Sequence, residues 1–364
     1  MMAAITAAQN GHKVTLIEKN DRLGKKLFIT GGGRCNICNI AEPEELIQNV
    51  KSNPNFLYSS FYSFSSSDLM HFFESRGLEL KIENGRVFPK SDKSIDVIKV
   101  LEKNLAKLGV KVLLNNTVTN IESLLKKSAV IIATGGLSYQ STGSTGDGYA
   151  WAKDLGHKIT KLRPALVPLL ANIKDLAGIS LKAGLKLDSF QGVGELLFTH
   201  KGISGPITLE ASRYWKEGTT AYIDFMPDVD IKQLDKLILK TFEENPNKLA
   251  GNIFEKMLPK RLSSTIVEFS DKQANAITKS ERAEIIDSIK NWPIKITGTA
   301  GFKEAIITTG GVDVREINPS DMSSKIIPNL YFAGEIIDVD AATGGFNLQI
   351  AFSTGYLAGL SIGS

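Results

Sequence analysis

The stretch MMAAITAAQNGHKVTLIE, residues 1–18, carries the reading that decides the fold. Its first nine residues are small and apolar, suited to a helix packed tightly on a sheet. Asn10-Gly11 supplies a stop, because glycine accepts the left-handed backbone that a helix end needs. Residues 13–18 (KVTLIE) form a short β-rich run ending in an acid. Helix, glycine, strand and terminal acid, in that order, make the second half of a βαβ dinucleotide-binding unit. The first half, an apolar strand running into GxGxxG, is expected before residue 1. Glu18 stands where such a unit offers a carboxylate to an adenosine ribose. A surface acid before a turn is the alternative reading of this residue.

Further strands are expected at 110–114 and 129–133, and helices over 56–77 and 95–108. From about residue 164 the character changes. Residues 166–230 hold short alternating apolar segments broken by glycines, which predicts a small β unit. Residues 231–293 are charge-rich with helical period, and the β pattern returns after Trp292-Pro293. Residues 330–333 read as a buried strand and 347–360 as an amphipathic helix. The order fits an α/β dinucleotide-type unit whose sheet is completed by the C-terminal segment, with an insertion between.

At 364 residues the chain needs two or three packed units. Hydrophobic residues at 42% and charged residues at 23% are ordinary for a globular protein. The balance of 43 basic against 39 acidic residues carries no nucleic-acid signature. No apolar run reaches the roughly 18 residues of a membrane span, and no signal-peptide pattern is present. With two cysteines a secreted disulfide framework is excluded, so a cytoplasmic protein is expected.

Residues 24–36 (GKKLFITGGGRCN) place three glycines in a row, costly to order unless backbone must approach a flat or phosphorylated ligand. Lys25, Lys26 and Arg34 add positive charge; a flexible surface loop is the bland alternative. Cys35 and Cys38 form a C-x-x-C without a second pair for zinc, so no metal site is expected, and a redox dithiol competes with a structural role. Thr134, Gly135 and Gly136 end a strand in glycines. The loop STGSTGDGY (141–149) offers one carboxylate, Asp147, to ribose or ribityl hydroxyls. The richest stretch is 331–355 (YFAGEIIDVDAATGGFNLQIAFSTG). Gly334 and Glu335 end a strand, and Gly344 and Gly345 precede a helix start. Its free N–H groups and partial positive charge suit the N1–C2=O edge of a reduced flavin, with Glu335 near the ribityl chain. Of the histidines, His12 reads as solvated, and His71 and His157 lie in helical surroundings. His200 is a candidate proton donor beside Ser204, itself not in a nucleophile-elbow setting.

Taken together, GKKLFITGGGRCN, GRVFPKS (85–91), ATGG (133–136), STGDGY (144–149), PALVPL (164–169), LLFTHKGISGP (196–206), ITTGGVDV (307–314) and YFAGEIIDVDAATGGFNLQIAF (331–352) resemble the BaiN/YhiN-type family of bacterial NAD(P)/FAD-dependent oxidoreductases. The resemblance implies a Rossmann-like FAD domain over 1–165 and 305–364, without its first strand and GxGxxG loop. It also implies an insert over 166–304, made of a small β-barrel (166–230 and 294–304) and a helical part (231–293). Carried over by position, it puts Glu18 at the adenosine ribose, Val118 at the adenine, and Thr30, Gly31, Gly32 and Gly33 at the isoalloxazine. Lys26, Arg34, Cys35 and Asn36 flank that turn. Asp147, Glu335, Asn347 and Leu348 match the remaining flavin contacts. Two departures stand out: Cys38 replaces a residue that is usually hydroxylated, and the arginine acid of fumarate reductases has no counterpart. The implied activity uses FAD, with NAD(P)H as donor, to reduce an activated C=C such as an enone in a small molecule. His200 and Thr309, within 308–311, are the candidates for the substrate face. The competing readings are an RNA-modifying flavoprotein and a non-catalytic chain unable to hold FAD. Oligomeric state is left open.

Overall fold

The computed structural model describes residues 1–363 of the chain. It forms two compact units, Met1–Pro164 with Ile306–Ser364, and Ala165–Ala305.

In the first unit, helix Met2–Gln9 buries Met2, Ile5 and Ala7 and lies against the final helix, Phe346–Leu360. Glycine permits the close approach: a Cβ on Gly359 would stand 2.4 Å from the Ala3 carbonyl. Strand Thr15–Ile17 follows and pairs in parallel with Lys111–Leu113. A second parallel pair joins Val130–Ile132 to Leu330–Phe332, so a C-terminal strand completes a layer begun early in the chain. This is a Rossmann-type α/β arrangement. A small antiparallel sheet of Cys38–Asn39, Arg86–Pro89 and Leu80–Glu83 flanks it. Those strands are too short for sequence periodicity to reveal.

Three local expectations need correction. Residues 56–77 are not one helix but a turn, Pro54–Leu57, and helices Tyr58–Ser63 and Ser66–Glu74. The break is a capping box, with the Ser65 hydroxyl accepting from the Asp68 N–H and the Asp68 carboxylate from the Ser65 N–H. The final helix is not amphipathic, for it buries Gln349, Ser353 and Thr354 as well as Phe346, Ile350 and Leu357. Its buried polar groups are satisfied nearby: Ser353 donates to the Phe64 carbonyl at 2.6 Å and Thr354 to the Ile350 carbonyl at 2.6 Å. His157 lies beyond helix Asp147–Asp154, buried edge-on to Phe332. Its Nε2 is 2.8 Å from Ser324 Oγ, and burial pushes its pKa down.

The second unit carries a seven-stranded antiparallel sheet. Trp292–Lys295 pairs with Thr220–Asp224 at one edge, and Gly298–Thr299 with Leu169–Leu170 at the other. Two residues separate those edge strands in the chain, so the sheet must curl until its edges nearly meet. Leu185, Leu187, Leu196, Phe198, Ile203 and Ile223 are buried in its core, each large side chain contributing about 1.5–3 kcal/mol. Helices Ile231–Glu244, Ala250–Phe254, Lys260–Ile266 and Lys279–Lys290 add to that core. Among the described residues no helix is long and apolar enough to cross a membrane.

Candidate active site

Helix Lys25–Ile29 runs into the tight turn Thr30–Gly33, where Gly31, Gly32 and Gly33 have φ of 61°, 66° and 88°. Consecutive left-handed residues are cheap only for glycine. Gly31 and Gly32 are exposed, so the turn presents bare backbone to its surroundings. Behind it Asn36 is buried, and its Oδ1 has no hydrogen-bond donor. Such an acceptor costs about 1–3 kcal/mol unless a partner arrives. Cys35 and Cys38 are fully buried free thiols, pushed up to about 12 by burial. That chemistry does not suit a redox dithiol, which needs a thiolate within reach of solvent.

The chain after this turn meets the amino end of the final helix. A Cβ on Gly345 (φ 98°) would lie 2.4 Å from both the carbonyl carbon and oxygen of Cys38. Asn39 Nδ2 donates to the Gly344 carbonyl at 3.3 Å. The Asn347 side chain clamps the preceding loop, accepting from the Ala341 N–H at 2.9 Å and donating to the Ala341 carbonyl at 2.8 Å. The Gln349 N–H closes on the Gly345 carbonyl at 3.0 Å, so the N–H groups of Phe346, Asn347 and Leu348 precede the first full helical bond. A helix of fifteen residues concentrates partial positive charge there.

Glu335 gathers a second cluster. Its carboxylate pairs with Lys26 Nζ, accepts from Ser138 Oγ at 2.8 Å and accepts from the Thr308 N–H at 2.8 Å. The Thr308 hydroxyl accepts from the N–H groups of Leu137 and Ser138 at 2.8 and 3.1 Å. Gly136 is required here: a Cβ would stand 2.5 Å from Thr308 Oγ1. A third cluster joins the end of strand Thr15–Ile17 to the hydroxyl-rich loop. Glu18 Oε1 accepts from Asn20 N and Nδ2 at 2.9 and 2.8 Å, Asn20 Nδ2 reaches the Thr142 carbonyl at 3.0 Å, and Lys19 pairs with Asp147 at 2.6 Å.

The structure thus brings together Cys38 and Asn39 with Gly344 and Gly345, Lys26 with Ser138 and Glu335, and, through Lys19 and Asn20, the end of strand Thr15–Ile17 with Thr142 and Asp147. Val118 is half-buried and packs against the core that includes Ile132. Thr134 lies where a Cβ on Gly148 would meet its hydroxyl at 2.2 Å. The Thr309 hydroxyl donates instead to the Arg163 carbonyl at 3.4 Å, and it is Thr308 that enters the polar cluster. His200 is exposed in the turn between strands Phe190–Thr199 and Gly202–Ser204 of the second unit. Ser138, Lys19 and Asn20 were not singled out from the sequence. Their position one or two residues beyond a strand-end motif was the available signal.

Residues 1–361 match the family described as HI0933-like protein Rossmann domain. The chain is 30% identical over 388 residues to "Ribosomal RNA dihydrouridine synthase" of Haemophilus influenzae, covering 100% of this chain and 95% of the relative. It is 30% identical over 396 residues to "3-dehydro-bile acid delta(4,6)-reductase" of Clostridium scindens, covering 99% and 95%. Among solved structures, 3-ketosteroid-delta4-(5alpha)-dehydrogenase from Rhodococcus jostii RHA1 is 13% identical with a TM-score of 0.46, over 99% of this chain and 93% of that one. The chain belongs to the HI0933-like Rossmann family, a family of FAD-dependent oxidoreductases.

Proposed function

We propose that this member of the HI0933-like family reduces a C=C bond conjugated to a carbonyl, with NAD(P)H as donor. The names of the H. influenzae and C. scindens relatives point to this one reaction type. A bile-acid enone and a uracil ring each present a C=C whose β-carbon is made electron-poor by conjugation to a carbonyl. The double bond gains one hydride and one proton, and NAD(P)H becomes NAD(P)+. Bound FAD would supply the relay of the hydride between donor and substrate.

The fit to FAD rests on this chain's own groups. The carrying observation is the packing of the final helix's amino end on Cys38, in the segment that follows the bare glycine turn and the orphaned Asn36 Oδ1. A flat ring with an N–H edge supplies the donor that Asn36 lacks. The N–H groups of residues 346–348 favour negative charge developing on a bound ring. Glu335, held by Lys26, Ser138 and Thr308, suits the hydroxyls of a ribityl chain, and Glu18 those of a ribose. Asp147, Val118 and Leu348 complete the proposed contacts. Thr309 remains a candidate for the substrate face, in a cytoplasmic setting where nicotinamide donors are abundant; His200 lies exposed in the second unit and is not assigned to this site.

The substrate reading has two arms. The name of the H. influenzae relative favours a uridine of ribosomal RNA, a partner that the composition did not lead us to expect; that of the C. scindens relative favours a small enone. The test is to load the protein with FAD, bleach the flavin absorbance with NADPH under anaerobic conditions, and add each substrate class. Recovery of colour with an enone or a uridine-containing rRNA fragment, and loss of dihydrouridine from rRNA in a deletion strain, would distinguish them. A protein that stays colourless with FAD would refute the reading.

A further inference from the structure

Arg34 was expected to lend its charge to a bound anion. Its guanidinium is instead committed within the protein. Nε donates to Asp92 Oδ1 at 2.7 Å, and the terminal Nη2 donates to both oxygens of Glu83 at 2.8 and 2.7 Å. The plane lies over the Phe88 ring, 4.2 Å from its centroid. Lys81 bridges the same two acids, at 3.0 Å to Glu83 and 2.5 Å to Asp92. Nε and Nη2 are thus held by Glu83 of strand Leu80–Glu83 and by Asp92, three residues beyond strand Arg86–Pro89.

What Arg34 holds is a costly piece of backbone. Gly31, Gly32, Gly33 and Cys35 all have left-handed φ, and within the turn the Arg34 N–H reaches Gly31 with a long 3.3 Å bond. Asp92 is itself left-handed, at φ 55°. Residues in this region persist only where their surroundings over-determine them. The two strained segments, 30–35 and 92, face each other through one guanidinium.

We propose that Arg34 is a positioning residue: with Glu83, Asp92 and Lys81 it latches the turn Thr30–Gly33 to the sheet Cys38–Asn39, Arg86–Pro89 and Leu80–Glu83, preforming the surface on which FAD rests. This rests on the FAD reading of the turn given above. Preformation lowers the ordering cost of binding, so breaking the latch weakens FAD uptake by about tenfold, the sum expected of a few partly exposed charged contacts.

The experiment compares Arg34→Ala, the pair Glu83→Gln with Asp92→Asn, and the triple variant. Amide hydrogen exchange at residues 30–36 is measured in the cofactor-free protein, and FAD affinity by fluorescence quenching. A latch predicts that both variants speed exchange at 30–36 and weaken FAD alike, with the triple variant no worse than either. If the acid pair leaves exchange and affinity unchanged while Arg34→Ala weakens FAD, Arg34 touches the cofactor directly and the proposal is overturned. Unchanged exchange in all three also overturns it. Faster exchange in a protein whose wild type takes up no FAD would keep the latch and remove the cofactor reading. Arg34→Lys, which keeps the charge but not the fork, is expected to fall between Ala and wild type. It serves as the readout should Arg34→Ala fail to fold.

Discussion

Replacing Gly345 by alanine tests directly the packing of the final helix's amino end on Cys38. Two costs add. At φ 98° an alanine pays about 1–2 kcal/mol for a left-handed backbone. Its Cβ would also lie 2.4 Å from the Cys38 carbonyl carbon and oxygen, where ordinary contact begins near 3.4 Å. The two segments must therefore part by about 1 Å, and overpacking of that kind costs about 1–3 kcal/mol. Cys38 cannot yield easily, since it is buried and paired with Val87 in the small sheet. Gly32→Ala is the control: its φ of 66° carries the same backbone cost, but nothing stands within 4 Å of the added methyl. Urea unfolding should place Gly32→Ala about 1–2 kcal/mol below wild type and Gly345→Ala about 1–3 kcal/mol below that, at unchanged m-value. In the loaded enzyme a 1 Å misplacement of the helix start should lower turnover about 100-fold. Equal unfolding midpoints for the two variants would refute the packing argument. Full FAD uptake by Gly345→Ala would refute its link to the cofactor.

Other perturbations probe the remaining clusters. Glu335→Gln leaves Lys26 without its carboxylate and should lower stability by about 1–3 kcal/mol by thermal melting; Lys26→Met with Glu335→Gln together should recover part of that loss. Asp313 is held down to about 2 by hydrogen bonding from the Arg315 guanidinium and N–H. Because its folded value lies below the unfolded one, its stabilisation is present above about pH 4 and drains away as pH falls toward about 2. Asp313→Asn should flatten acid unfolding across that window by at most about 2 kcal/mol. Cys35 and Cys38, buried with thiols raised to about 12, should resist a thiol reagent at mildly alkaline pH and react at once in urea. Rapid labelling of the folded protein would revive the dithiol reading.

Much of this protein was determined by the sequence itself, where the deciding physics is local. Residues 1–18 announce helix, stop and strand through small side chains, one glycine and a β-rich run, and the structure has Met2–Gln9 and Thr15–Ile17 there. The glycines at 31–33 and 344–345 signal unusual backbone because a missing Cβ is a property of the residue alone. Patterning likewise announced a small β unit over 166–230 and helical period over 231–293, where strands such as Ser180–Leu187 and helices such as Ile231–Glu244 stand. Only the tertiary structure decided which loops meet. Gly345 against Cys38, Glu335 against Lys26 and Arg34 against Glu83 and Asp92 are contacts between distant parts of the chain, and no pattern within a window specifies them. The same holds for Thr308 over Thr309, where strand direction chooses which of two adjacent hydroxyls enters the cluster. It holds also for the final helix, whose polar residues look like a solvent face until Phe64 accepts their hydrogen bonds. Local chemistry sets what each segment can be, and the close packing of remote segments sets what each side chain does.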